Sequence, residues 1–241
     1  MEESMKKIKL IASFIMGILL AVSLGYPQPP FQASAYFSLG FPQSEFRNNV
    51  DRIGYSGVGH FAYNFRDSPF LVGVSLGILV YGSETRTEPL SLMVPDVMVN
   101  VTTSNNIFLC HFLLRVQPQK GMIRPYLDGL LGFNYLYTDT RVKGRSDIGY
   151  ETIASSNIHN DLTFSYGAGS GLMVQVFSKQ RRKKSGSFAM YLDMAVRYIK
   201  GGKAEYLKEG SIRLENDQIL YDVSRSTTDL VTGYIGVSFS F

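Results

Sequence analysis

Few residues in this chain could do chemistry. There are three histidines and one cysteine in 241 residues. His60 and His111 stand among alternating apolar residues, while His159 lies in a polar stretch with Ser156 and Asp161 close by in sequence. A histidine within hydrogen-bond reach of a serine or carboxylate is the minimum for general-base or acyl-transfer chemistry. His60 and His111 fall on segments that are not consecutive, and read as core residues whose polar atoms are satisfied by neighbours. His159 with Ser156 and Asp161 is a thin constellation and reads as a solvated histidine. Three histidines without tight spacing make no metal site, and no cofactor is implied. Cys110 alone excludes an intramolecular disulfide framework. The glycine clusters sit inside alternating segments rather than between a strand and a helix, so they are not phosphate-binding loops. The other candidates are charges embedded in apolar segments: Arg115, Asp128, Asp193 and Arg197.

The elements that position these residues are strands. Eight segments show period-two alternation of apolar and polar or small residues: Ser34–Phe41, Ile53–Phe65, Phe70–Gly82, Asn106–Val116, Arg124–Thr138, Asp161–Phe177, Ser187–Ile199 and Thr228–Phe241. One face carries an apolar series with aromatics toward its ends, and the other carries Gly, Ser, Tyr and the charges. A soluble barrel would turn the apolar face inward and the polar face to water. The polar face here is too rich in glycine and small residues for a solvated exterior, so the apolar face is expected outside, against hydrocarbon. Connections alternate longer, short, long, short, long, short, long, the parity of a membrane barrel with short turns on one side and long loops on the other. The fold class is therefore all-β: an eight-stranded antiparallel up-and-down transmembrane β-barrel over 34–241.

The last strand sharpens this reading. Phe241, Phe239, Val237 and Ile235 share one face, and Ser240, Ser238, Gly236 and Tyr234 the other. A closed barrel must pair its last strand with its first, leaving no edge in lipid. Tyr234, Gly236, Phe239 and Phe241 resemble the C-terminal signal by which the assembly machinery of bacterial outer-membrane barrels recognises its substrates, with Tyr in the polar slot as a departure. Pro125-Tyr126-Leu127-Asp128-Gly129, Gly167-x-Gly169-x-Gly171, Tyr191 to Tyr198 and Gly201-Gly202-x-Ala204-x-Tyr206-Leu207 resemble later strands of the small OmpA-like outer-membrane β-barrel family. The likeness implies a barrel of structural, adhesive or unassigned role, in contact with outer-membrane lipid. With Phe241 as the end, the peptidoglycan-binding domain of some relatives is expected to be absent.

The opposite end agrees. Met5-Lys6-Lys7-Ile8-Lys9 precedes an uncharged run of about 15 residues, Leu10–Leu24, short of a spanning helix. Residues 1–25 read as a signal peptide cleaved after Ser23-Leu24-Gly25, and 26–33 as a Pro-rich periplasmic lead. Ala33-Ser34-Ala35 is a second cleavage candidate that would cut into the first strand, and an uncleaved anchor is the alternative. Net charge falls from +4 to +3 on removal of 1–25, too little to imply nucleic acid.

Eight strands give an interior that side chains fill rather than a channel. Arg115, Asp128, Asp193, Arg197, His60 and His111 have inward parity and are expected to form a polar network. Arg115 and Asp128 are separated by a short turn and suit a diagonal contact. Gly167, Gly169 and Gly171 should make room for a large neighbour such as Tyr191. Loops 83–104, 139–160 and 200–227 are where an extracellular ligand would be met, and Arg181-Arg182-Lys183-Lys184 reads as a solvated basic turn. The expected function is a non-catalytic structural or surface-interaction barrel of the bacterial outer membrane. Its rivals are a lipid-modifying outer-membrane enzyme and a narrow transport barrel.

Overall fold

A computed structural model describes residues 29–66, 68–91, 94–146, 149–179, 188–215 and 218–241. The expected signal peptide, residues 26–28 of the lead and the basic turn at Arg181–Lys184 lie outside the described residues. Twelve strands and one helix follow in order: β1 (Phe31–Pro42), α1 (Ser44–Asn49), β2 (Gly54–Asn64), β3 (Phe70–Ser91), β4 (Val94–Val116), β5 (Ile123–Ser146), β6 (Gly149–Lys179), β7 (Phe188–Gly201), β8 (Lys203–Tyr206), β9 (Ile212–Glu215), β10 (Gln218–Tyr221), β11 (Ser224–Thr227) and β12 (Leu230–Ser240).

Eight of the strands close a barrel in the order β1-β12-β7-β6-β5-β4-β3-β2, every pair antiparallel. The seam is β1 against β12, in register from Gln32↔Ser240 to Pro42↔Leu230. Beyond that register, Phe31 N–H donates to Phe241 O (3.1 Å) and Phe241 N–H to Phe31 O (3.0 Å), so pairing reaches the last residue. β1 starts at Phe31, ahead of the Ser34 expected from alternation.

The barrel is greasy outside. Phe37, Phe61, Leu76, Ile78, Phe112, Leu131, Phe164, Val196 and Ile235 are each about half exposed, while Tyr36, Leu79, Tyr126, Tyr191 and Arg197 are buried. Water does not tolerate so continuous an apolar wall; hydrocarbon does. At ~3.3 Å per residue and a tilt near 40°, Phe70–Val80 rises roughly 28 Å, which matches the apolar band of a membrane barrel. Aromatic rings gather at the strand ends. Phe31 stacks near Phe61 and Phe241, and Phe188 near Phe177 and Phe239, at the end where β1 begins and β12 finishes, called here the near end. Tyr135–Tyr137 and Phe164–Tyr166 pair toward the far end. These are interfacial girdles, and the chain is a transmembrane barrel.

The long connections depart from expectation. Stretches 83–104 and 139–160 are not loops: β3 and β4 pair out to Ser91↔Val94, and β5 and β6 out to Ser146↔Gly149. Alternation vanished there because polar residues occupy both faces of the strands. Glu84-Thr85-Arg86-Thr87 and Asn100-Val101-Thr102-Thr103 offer β-formers without an apolar stripe. Thr85 and Thr102 hydroxyls meet at 3.0 Å across the ladder, Thr103 and Thr140 at 3.1 Å. With Val99↔Gly144 joining β4 to β5, four strands continue beyond the barrel as one sheet. Stretch 200–227 is likewise structured: β8 pairs β11 and β9 pairs β10.

Candidate functional site

The side chains singled out above converge inside the barrel, in tiers. At the near end, Gln117 Nε2 donates to Gln32 Oε1 (3.2 Å) and Asn64 Oδ1 (3.3 Å), and the Arg124 guanidinium lies 4.7 Å over the Tyr191 ring. Amides are the natural closure at this level, because each can donate and accept across the axis.

The middle tier is ionic. Arg115 and Asp128 are direct cross-strand partners, not diagonal ones. Nε and Nη2 of Arg115 donate to the two Asp128 oxygens at 2.7 and 3.0 Å. The same carboxylate accepts from Arg197 Nε (3.1 Å) and Nη2 (2.6 Å). Asp193 accepts from Tyr36 OH (2.6 Å), Tyr126 OH (2.6 Å) and Ser238 Oγ (2.7 Å), and stands 3.8 Å from Arg115 Nη1. Arg115 lies 3.6 Å over the Tyr126 ring and Arg197 4.6 Å over Tyr234. Two guanidiniums and two carboxylates thus cancel, each making at least two hydrogen bonds, the condition under which buried charge is tolerated.

Space for these large groups comes from β6. A Cβ at Gly169 would run into the Arg197 side chain and one at Gly171 into the Tyr126 ring. Tyr191, the expected filler, sits opposite Gln175 instead. The glycines are therefore the mould for Arg197 and Tyr126.

The histidines belong to this interior. Arg197 Nη1 lies 3.0 Å from His60 Nε2. Guanidinium only donates, so Nε2 accepts and the proton sits on Nδ1, which has no partner among the described residues. His111 Nε2 lies 2.8 Å from Ser165 Oγ, a serine the sequence did not single out. Ser165 donates to Asn134 Oδ1 (2.9 Å), so its hydroxyl accepts from His111 and its proton is committed. All three residues are buried, with no approach for a substrate. His159 is not on a loop: it lies in β6 opposite Thr138, beside a register shift. Asp161, its expected partner, accepts instead from the Glu205 N–H at 2.7 Å. Among the described residues no group of three His, Cys, Asp or Glu could hold a metal.

The far tier is apolar, which alternation did not disclose. Leu79, Ile107, Leu136, Ile199 and Leu230 line the barrel's far mouth, and Phe46, Tyr81 and Tyr206 fill it. Phe46 meets Tyr81 edge-on at 5.6 Å and Tyr206 at 5.2 Å. Phe46 and Tyr206 arrive from connections between barrel strands. The available signal was Phe46 itself, an aromatic isolated in the stretch Gln43–Arg52.

On the terminal strand, Phe239 and Phe241 point outward and Tyr234 inward. A Cβ at Gly236 would strike Ala35 O and Tyr36, so this glycine is required by the seam itself.

No family model matches the chain, and no curated protein matches it. Among solved structures it is similar to Neisserial surface protein A at 11% identity, covering 88% of this chain and 97% of that one, with a TM-score of 0.40. It is also similar to Ail, the attachment invasion locus protein of Yersinia pestis, solved with the heparin analogue sucrose octasulfate. That match is 12% identical and covers 90% of this chain and 100% of that one, with a TM-score of 0.37. Likenesses of this size decide nothing; the closed register and the apolar wall do. Those give a closed, eight-stranded antiparallel transmembrane β-barrel.

Proposed function

We propose that this chain is a non-catalytic surface-interaction barrel of the bacterial outer membrane, with the near end in the periplasm and the far end outside. The terminal strand would be read by the barrel assembly machinery through Tyr234, Gly236, Phe239 and Phe241. The observation that carries the interaction role is the sheet standing beyond the barrel. β7 pairs β6 only from Ser165 onward, so β6 from Gly149 to Asn160 has no strand on that side among the described residues. At ~3.3 Å per residue that is roughly 40 Å of open edge. The opposite edge, β3 beyond Val80, carries Glu84, Arg86, Glu88 and Pro89, residues that discourage pairing. The β6 edge has no proline and one acidic residue, Glu151. An open, weakly charged edge suits strand addition by an extended polypeptide.

Shortening the β5–β6 hairpin by removing residues 142–154 tests this. Cells bearing the shortened chain should lose binding to a reduced, alkylated and permanently unfolded albumin, while heat-modifiable gel mobility persists. The same trimming of the β3–β4 hairpin should leave binding intact. Equal binding by full-length and shortened chains would defeat the proposal. The tiered interior argues against the transport reading, and large stable conductance steps in a planar bilayer would revive it. The lipid-modifying reading has little support, since Asp161 is engaged by Glu205 rather than by His159; altered lipid A on overexpression, lost in His159→Ala, would restore it.

A further inference from the structure

The far mouth is closed by two pieces of chain, neither of which is self-supporting. α1 has six residues, no side-chain hydrogen bond at its N-cap Gln43, and a left-handed Ser44 at φ 51°. Helices this short are unstable alone, and a left-handed serine adds strain. β8 and β11 form a ladder of four pairs, from Lys203↔Thr227 to Tyr206↔Ser224, and an isolated two-stranded ribbon is marginal.

Each piece is held by the other. Phe46 of α1 and Tyr206 of β8 pack ring to ring and are fully buried. Asn49 Nδ2 donates to Tyr206 OH at 3.0 Å, and Thr227 N–H donates to Glu45 Oε2 at 3.1 Å. From the wall, Tyr81 OH on β3 donates to Leu207 O at 3.1 Å, and between the flanks of the two pieces Arg52 pairs with Glu209 at 2.8 Å. Both pieces are tied to one place. Asp229 O accepts from Gln43 N–H (2.9 Å), where α1 begins, and Asp229 Oδ1 accepts from Gly201 N–H (3.2 Å), where β7 gives way to β8. Gly201 and Gly202 make that exit tight: a Cβ on the first would meet Thr228 and on the second Thr163.

We propose that α1 and the β8–β11 ribbon are one lid, opening as a unit about Asp229 and Gly201-Gly202 while the barrel stays folded. Raising it uncovers the cup lined by Leu79, Ile107, Leu136, Ile199 and Leu230. It does not open a channel, because the Arg115–Asp128–Arg197 tier below remains shut. The lid and the ionic tier are two seals in series.

Hydrogen–deuterium exchange on the full chain, folded in detergent micelles, tests the lid. Peptides covering 44–50 and 203–207 should exchange at matching rates, faster than β1 and β12. Phe46→Ala should accelerate both peptides at least tenfold although it alters only one. The milder Asn49→Ala should accelerate both to a smaller degree. Unrelated rates in the unmodified chain would overturn the proposal, as would acceleration of 44–50 alone, or equal acceleration of β1 and β12. The Phe46→Ala chain should stay non-conducting in a planar bilayer; stable conductance steps from it would overturn the second seal.

Discussion

Arg197 and Ile199 are two residues apart on β7, yet they belong to closures built from opposite materials. Arg197 is locked to Asp128 by hydrogen bonds from within the barrel wall. Ile199 meets rings delivered by chain that leaves the wall and returns. The ionic tier is made by strands in fixed register, so it cannot change without the barrel changing. The aromatic closure is made by connections, so it can be lost while the wall survives. A fully buried residue is thus no guide to its importance for the fold; the origin of its partners is.

The sharpest way to break this comparison is Asp128→Ala, which strands two buried guanidiniums. It should cost about 3–5 kcal/mol, read as a lowered urea midpoint of barrel unfolding and loss of the heat-modifiable band. A midpoint no lower than that of Phe46→Ala would erase the distinction drawn above. Next in size is the outer wall. Ile235→Arg places a charge on the hydrocarbon face and should cost about 2–4 kcal/mol if it sits near the midplane, measured by folding titration into lipid vesicles. Stability unchanged by the charge would refute the apolar exterior. Gly171→Ala then probes the mould: the new methyl meets the Tyr126 ring, and overpacking costs about 1–3 kcal/mol. Its signature should be weakened Tyr126–Asp193 contact with the lid untouched.

The smallest effect is on the lid alone, through pH. The hydrogen bond from Arg86 holds the Glu84 carboxyl below its ordinary value of 4.5, and Gly210 N–H also binds there. A depressed carboxyl contributes above that ordinary value and loses the contribution as pH falls through its folded one. Burial raises the Tyr206 hydroxyl above its ordinary 10.0, so its contribution is full below 10.0 and fades as pH rises further. Protease nicking at 207–211 should therefore increase modestly near pH 3.5 and again above pH 10, relative to about pH 7. A flat profile would remove both groups from the attachment.

Much of the wall was legible because hydrocarbon demands an unbroken apolar face and the strand period is two. Phe70 to Val80 could be assigned outward by parity, and Arg115 and Asp128 inward on strands joined by a short turn. Their direct opposition required the register, which parity alone leaves open by two residues. The projecting sheet was illegible for a physical reason: where polar residues occupy both faces of a strand no apolar period appears, and Thr85, Thr87 and Thr102 read as loop. The lid was illegible because Phe46 and Tyr206 find each other across 160 residues of chain. Nor could alternation say which large side chains fill the glycine mould, since Tyr126, Tyr191 and Arg197 all have the right parity.

The reciprocal bonds between Phe31 and Phe241 have a temporal meaning. The first strand of the wall finds its mate only in β12, about 200 residues further along the chain. Until then its unpaired amides have no partner that lipid can supply. All eight wall strands must be present before the cylinder can shut.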